Sequence, residues 1–245
     1  MAQSHYSSNK KYNLTRSMKN QFIGPIMNTK TPKNFTLYSD NQYQGYPIYT
    51  AKGPLIKQYL ERTFDTISHA LNEYPRTLAL RVDLHFPWNG MQKHDNQVIN
   101  RFFKSLREQI KHNRAQATKQ NPYAHQSKVR YIWCKEQDTS ASSHYHVLIL
   151  LNHDAFGALG GVTASEGNMA ARIKKAWLRA LGYHSREDMM TYGSLVHFCD
   201  NSVYKINAQY DSGLLADLLY RASYFCKAET KNFAHHQHFF GRSNG

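Results

Sequence analysis

Five consecutive apolar residues, Val147-Leu148-Ile149-Leu150-Leu151, follow directly on two histidines placed two apart, His144 and His146. This stretch constrains the fold more than any other. It is too short for a surface helix and rich in strand formers, so it predicts a buried β-strand. Side chains two apart on a strand leave from one face, with Cα atoms roughly 6.5–7 Å apart. Two imidazoles so placed can converge on one cation at about 2.0–2.2 Å. Alone, such a pair is more often two satisfied core histidines, and the rest of the chain decides between these readings.

The flanking segments supply a sheet and its cover. Lys128 to Gln137 predicts a second strand, and the polar turn Asp138 to Ser143 returns the chain into the histidine strand as a hairpin. Thr77 to Phe86 alternates, with Leu78, Leu80, Val82, Leu84 and Phe86 on one face and Arg81, Asp83 and His85 on the other. A plain surface face is the expectation for Asp83 and His85. Ser194 to Cys199 and Val203 to Ile206 predict two further short strands. Helical spacing of Leu55, Ile56, Tyr59, Leu60, Phe64, Ile67 and Leu71, after Gly53-Pro54, predicts a helix over 54–73. A second helix starts at an Asp95 N-cap with the stripe Val98, Ile99, Phe102, Phe103, Leu106 and Ile110, and 115–127 reads as a polar loop. After a glycine-rich loop at 157–167, a third helix over 169–181 closes at Gly182. A last one runs from about Gly213 to Lys231. The pattern predicts an α+β fold, an antiparallel sheet of about five strands with helices packed mainly on one face. Residues 1–50, rich in Asn, Ser, Lys, Thr and Tyr, read as a basic arm, partly disordered, before a domain over 51–245.

Charge narrows the partners. Lysine and arginine outnumber acids 31 to 17, for a net +14, and residues 1–39 carry six basic residues and no acid. Residues 101–135 carry nine basic residues against the single acid Glu108. Such tracts point to a polyanion, most often nucleic acid. The outer face of the second helix (Arg101, Lys104, Arg107, Lys111), together with Arg221, Lys231 and Arg242, forms the DNA-binding candidate set. The tyrosines between 6 and 59 can stack on unpaired bases. Three scattered cysteines in apolar surroundings fit reduced thiols in a cytoplasm. No apolar run approaches a membrane span, and no GxxxxGK[ST] phosphate loop occurs.

Two constellations carry chemistry. The hairpin puts Glu136 opposite or diagonal to His144, so two imidazoles and a carboxylate make an open divalent-cation site, with Asp138 the second choice for the acid. On the last helix, 100° steps set Tyr220, Tyr224, Lys227 and Lys231 in one column opposite the stripe of Leu214, Leu215, Leu218, Leu219, Ala222, Phe225 and Cys226. A solvated Tyr/Lys face is the plain reading. The chemical one makes a tyrosine the nucleophile in phosphoryl transfer: its hydroxyl has a pKa near 10, and Lys227, one turn beyond Tyr224, favours the phenolate. Metal, tyrosine and basic surface together imply DNA strand cleavage through a 5′-phosphotyrosine link.

These motifs resemble a known superfamily. His144-Tyr145-His146 is similar to the His-hydrophobe-His motif of the HUH endonucleases, and Tyr224-Phe225-Cys226-Lys227 to the Tyr-x-x-Lys motif of their replication initiators. In detail the ordered motifs of residues 70–243 resemble the inovirus-type (filamentous phage) replication proteins and the related YagK/YfjJ-type domains. The resemblance implies a ferredoxin/RRM-like palm, a Mg²⁺ or Mn²⁺ ion, and nicking of one strand at a replication origin beside a host helicase in the bacterial cytoplasm. By motif, His144, His146 and Glu136 become metal ligands, Tyr224 the nucleophile and Lys227 its helper. Tyr220 leaves two mechanisms open, a second alternating nucleophile or a bystander. Tyr145 fits if it faces the other side of the sheet. Transposition or conjugation by the same chemistry, and a non-catalytic repressor on the same scaffold, are the alternatives. His235, His236 and His238 read as a packing or DNA-contacting tail.

Overall fold

The apolar run lies inside the main sheet in a computed structural model that describes residues 34–88, 97–137, 143–229 and 238–244. In chain order the elements begin with β1 (Leu37–Tyr38), β2 (Gln42–Tyr43), β3 (Tyr46–Pro47), β4 (Leu55–Ile56), α1 (Lys57–Glu73) and β5 (Arg76–His85). Next come α2 (Gln97–Gln120), β6 (Arg130–Gln137), β7 (Ser143–Asn152), α3 (Met169–Leu181) and α4 (Arg186–Tyr192). β8 (Val196–His197), β9 (Val203–Asn207), α5 (Ser212–Ser223) and β10 (Phe240–Arg242) complete the order. Six strands form one antiparallel sheet in the order β10-β6-β7-β5-β8, with β9 also paired to β5. The histidine strand therefore runs between β6 and β5.

Helices cover both faces of this sheet, not mainly one. The reason is in β7, which is apolar at both parities from Val147 to Leu151 and buried throughout them. Either face left bare would expose a row of aliphatic groups, each worth about 1.5–3 kcal/mol when buried. On one face Leu80, Val82, Tyr145, Val147 and Ile149 pack with Phe102, Phe103 and Leu106 of α2 and Ile173 and Trp177 of α3. On the other, Ala79, Ile132, Leu148 and Leu150 pack with Leu60, Phe64 and Ile67 of α1 and Leu218, Leu219 and Ala222 of α5.

Several boundaries differ from the sequence reading. Residues 115–120 continue α2 for more than a turn, because Ala115, Gln116, Ala117 and Lys119 are good helix formers and the first breaker is Pro122. Gly53-Pro54 precedes a strand pair, Leu37–Tyr38 with Leu55–Ile56, and α1 starts only at Lys57. The segment Ser194 to Cys199 yields a two-residue strand, and α4, capped by a Ser185–Asp188 capping box, precedes it. α5 stops at Ser223 and a 3₁₀ turn takes over at Tyr224–Cys226. α3 matches its prediction, with Asn168 accepting from the Ala171 amide and Gly182 closing it at φ 93°.

Residues 34–50 of the expected arm are folded onto the domain. β2 and β3 are a hairpin whose two loop residues, Gln44 and Gly45, both have positive φ, the conformation of a type I′ turn. Tyr43 and Tyr46 set their rings on Phe64, and Ile48 is buried beside them. Residues 1–33, Asp95, Asp138, Lys231, His235 and His236 lie outside the described residues. Among the described residues no helix is long and apolar enough to cross a membrane.

Candidate functional site

Strand parity and register assemble two rungs on the face covered by α1 and α5. Glu136, His144 and His85 stand side by side on β6, β7 and β5, and one rung deeper come Cys134, His146 and Asp83, with His197 of β8 beyond. The middle residue, Tyr145, points to the other face and is buried among Trp133, Phe86 and Trp177.

The polar atoms of these rungs converge. His144 Nε2 lies 3.1 Å from His146 Nε2, which lies 3.2 Å from Glu136 Oε2. One ligand atom from each of Glu136, His144 and His146 falls within 4.8 Å of the others. Octahedral coordination with bonds of about 2.1 Å places neighbouring donors about 3.0 Å apart, so the two short separations suit a divalent cation. Behind the imidazole, His146 Nδ1 donates to Asp83 Oδ1 at 2.6 Å, and Arg81 Nη2 braces that oxygen at 3.2 Å. An Nδ1–H held by a carboxylate turns Nε2 toward the shared point, the arrangement that orients a metal-ligating histidine.

Charge follows this geometry. Burial, with His146 and His85 nearby, pulls His144 down to about 4, so its imidazole is neutral at pH 7 with a free lone pair. Burial also opposes charge on His146, but its hydrogen bonds to the Asp83 and Glu136 carboxylates outweigh it and raise its pKa. Asp83 is held below the usual carboxylate range, because the His146 and Arg81 contacts overcome its burial. Lone pairs of His144 and Glu136 thus meet at one spot in front of His146 Nε2, where a divalent cation can take the place of a proton.

Glu136 is the hub. It is nearly inaccessible, and its carboxylate also receives Lys227 Nζ at 3.1 Å and the Tyr224 hydroxyl at 3.3 Å. The wheel that set Tyr220, Tyr224 and Lys227 in one exposed column fails here, because the helix ends before Tyr224. The 3₁₀ turn buries Phe225, which stacks on His146, and Cys226, and carries Lys227 into the interior at 1% exposure. Lys227 Nζ lies over the Tyr224 ring, 3.5 Å from its centroid, and binds Glu136 rather than the phenol oxygen. The phenolate is accordingly not favoured in this state: burial and then the Glu136 charge push the Tyr224 pKa well above its usual value.

Tyr220 stands apart. It is half exposed, and Tyr49 lies between it and the site, with its ring 6.0 Å from Tyr220 and 5.2 Å from Tyr224. Of the DNA-binding candidates, Arg221 lines the same cleft as these tyrosines. Arg101 and Lys104 line a groove between α2 and α3, and Arg107 and Lys111 another beside the start of β6, both on the far side of the sheet. Arg242 sits half-buried on β10. Asp83, for which the sequence favoured a plain surface face over a role at the site, stands behind His146 together with Arg81. Their parity with His85 was visible; which strand would lie beside them was not.

The chain matches the YagK/YfjJ C-terminal domain family over residues 38–243. It is 31% identical to YagK of Escherichia coli strain K12 over 213 residues, covering 82% of this chain and 97% of that protein. It is 29% identical to YfjJ of the same strain over 205 residues, covering 79% of this chain and 97% of that protein. Both relatives carry the description "uncharacterized". No solved structure matches the chain significantly.

Proposed function

We propose that this chain, which belongs to the YagK/YfjJ C-terminal domain family, is a divalent-metal-dependent DNA endonuclease and strand-transferase of the HUH type. It nicks and rejoins single-stranded origin DNA through Tyr224 and starts rolling-circle replication of a phage or integrated element, with a host helicase as partner. One observation carries the reading: a single buried carboxylate, Glu136, touches His146 of the histidine pair, the Tyr224 hydroxyl and Lys227 at once.

His144, His146 and Glu136 would hold a Mg²⁺ or Mn²⁺ ion. When bound, it supplies Lewis-acid polarisation of the scissile phosphate and lines it up for in-line displacement. The chain's own groups do the rest. Tyr224 Oη attacks phosphorus, its proton leaving along the hydrogen bond to Glu136 Oε2, and the bond from phosphorus to the 3′ oxygen breaks. The 3′ oxygen departs as a hydroxyl with that proton, and the 5′ phosphate stays on the tyrosine. Because the ester keeps the bond energy, attack by a 3′ hydroxyl reverses the step without ATP. Lys227 keeps Glu136 ionised and in place, and Asp83 with Arg81 fixes the His146 ring. Tyr220, with Tyr49 between it and Tyr224, is assigned no attacking role.

The test is a covalent-adduct assay on a denaturing gel, with single-stranded DNA from the element and Mn²⁺, with and without EDTA. A metal-dependent protein–DNA band is expected in wild type and in Tyr220→Phe, and none in Tyr224→Phe or His146→Ala. Wild-type protein that shifts this DNA yet forms no adduct would refute the nicking reading and leave a DNA-binding repressor in its place.

A further inference from the structure

Outside Tyr224 the structure holds a cleft of about 740 Å³, within the range of pockets that enclose small ligands. Its walls are unusual for a surface depression. Three tyrosines, Tyr49, Tyr220 and Tyr224, line it together with Arg221, Tyr204 and Asn201, with Asp217 the acid among them.

Tyr49 is the pivot of this wall. It comes from residues after the β2–β3 hairpin, far from α5 in sequence. Its backbone amide donates to Ser223 Oγ at 2.8 Å, and that hydroxyl donates to the Tyr220 carbonyl at 2.6 Å. The segment is thereby tied to the end of α5, next to the residue that carries the hydroxyl. The three rings meet edge to face, at 65° and 70°, which leaves ring faces for another aromatic group. Arg221 is held in the same cleft by the Asn201 carbonyl at 2.9 Å, Cys199 Sγ at 3.1 Å and the Tyr204 hydroxyl at 3.5 Å, all neutral acceptors. Arg81 also borders the cleft, but its charge is matched by the Asp83 carboxylate at 3.2 Å. Arg221 therefore brings the positive charge that a ligand phosphate can match.

Aromatic rings and a guanidinium in one cleft beside a nucleophile suit an unpaired nucleotide: the base needs a stacking platform and the phosphate a cation. Resting on the single-strand nicking proposed above, we infer that this cleft holds the nucleotide adjoining the scissile phosphate. Its base lies against Tyr49 and Tyr220 and its backbone phosphate against Arg221. Tyr49 is a positioning residue, and Tyr220 is half of a stacking wall, which gives this second tyrosine a role other than attack.

Binding is measured in EDTA, where no chemistry occurs, by fluorescence anisotropy of fluorescein-labelled (dT)10, a ten-base-pair duplex, and unlabelled dTMP as competitor. Wild type is expected to prefer (dT)10. Tyr49→Ala and Tyr220→Ala each weaken it by about 5- to 150-fold, the effect of one lost base stack, while Tyr49→Phe binds like wild type. Arg221→Ala flattens the dependence of log affinity on log salt by about 0.7, one phosphate contact on a single strand. Unchanged binding in Tyr49→Ala, equal weakening in Tyr49→Phe, or dTMP binding as tightly as (dT)10 would each overturn the inference. It fails separately from the nicking reading. A wild type that forms no adduct but loses (dT)10 with Tyr49→Ala keeps the cleft, and Tyr49→Ala that binds (dT)10 and forms adduct like wild type removes the cleft and keeps the nicking.

Discussion

The Glu136–Lys227 pair offers the sharpest test of how this site is built. Both side chains are at most 2% exposed and their charged atoms are 3.1 Å apart. At an effective dielectric near 20, that separation corresponds to an attraction of about 5 kcal/mol. Removing one partner leaves the other charge buried and unmatched, which typically costs about 3–5 kcal/mol. Against a total stability of about 5–15 kcal/mol, Lys227→Met and Glu136→Gln should each sharply lower the urea midpoint. The double variant removes both charges, so it should lose far less than the two single losses added together, with a coupling of about 3 kcal/mol or more. Unfolding followed by tryptophan fluorescence in EDTA reads all four proteins, and Trp133 and Trp177 are buried reporters. Single losses that simply add, within about 0.5 kcal/mol, would refute the reasoning, because the charges would then be solvated or independent. A second arm links the pair to the cation site. Mn²⁺ can balance the Glu136 charge that has lost its lysine in Lys227→Met, so it should restore part of that variant's stability and little of that of Glu136→Gln.

Three further outcomes follow from named contacts. Asp83→Ala frees the His146 ring and should weaken Mn²⁺ binding by about 10- to 100-fold in titration calorimetry; unchanged affinity would remove Asp83 from the site. Gly241 lies opposite Trp133 in the β10–β6 register, and a Cβ there would come within 2.6 Å of the indole. Gly241→Ala should therefore cost about 1–3 kcal/mol in urea unfolding, and a variant as stable as wild type would show that the edge strand shifts freely. Glu73 sits below its usual pKa because hydrogen bonds from Lys128 and Arg130 outweigh its burial. A depressed carboxylate stabilises the fold above its unfolded pKa of about 4.5 and loses that contribution as pH falls through the lower folded value. Glu73→Gln should thus be less stable by about 1 kcal/mol at pH 7, and the gap should close as pH falls through the lowered folded pKa; a gap that persists in acid would exclude the ion pairs as its source.

Much of the architecture was readable because it rests on local periodicity. The faces of Thr77 to Phe86, the hairpin that sets Glu136 opposite His144, and the Gly182 end of α3 all follow from spacing or single-residue chemistry. Errors fell where a local rule was carried past its range. The wheel assumed helix as far as Lys231, and one-sided cover treated the sheet as half solvated although β7 is apolar at both parities. The arm's tyrosines were read as base-stacking candidates on a partly disordered segment, and Tyr43, Tyr46 and Tyr49 instead pack against Phe64 and Tyr224.

The sequence by itself determined that His144 and His146 share one face and that Tyr145 leaves from the other, because strand alternation is imposed by backbone geometry and needs no partner; Glu136 joins them through the β6–β7 register. Only the tertiary structure decided that Asp83 and Arg81 stand behind His146, that Tyr49 crosses in front of Tyr224, and that Lys227 turns inward. Those outcomes depend on which distant strands pair and on where burying Phe225 and Cys226 outweighs one more turn of helix. Such lateral choices are made by packing between segments far apart in the chain, and no spacing within one segment encodes them.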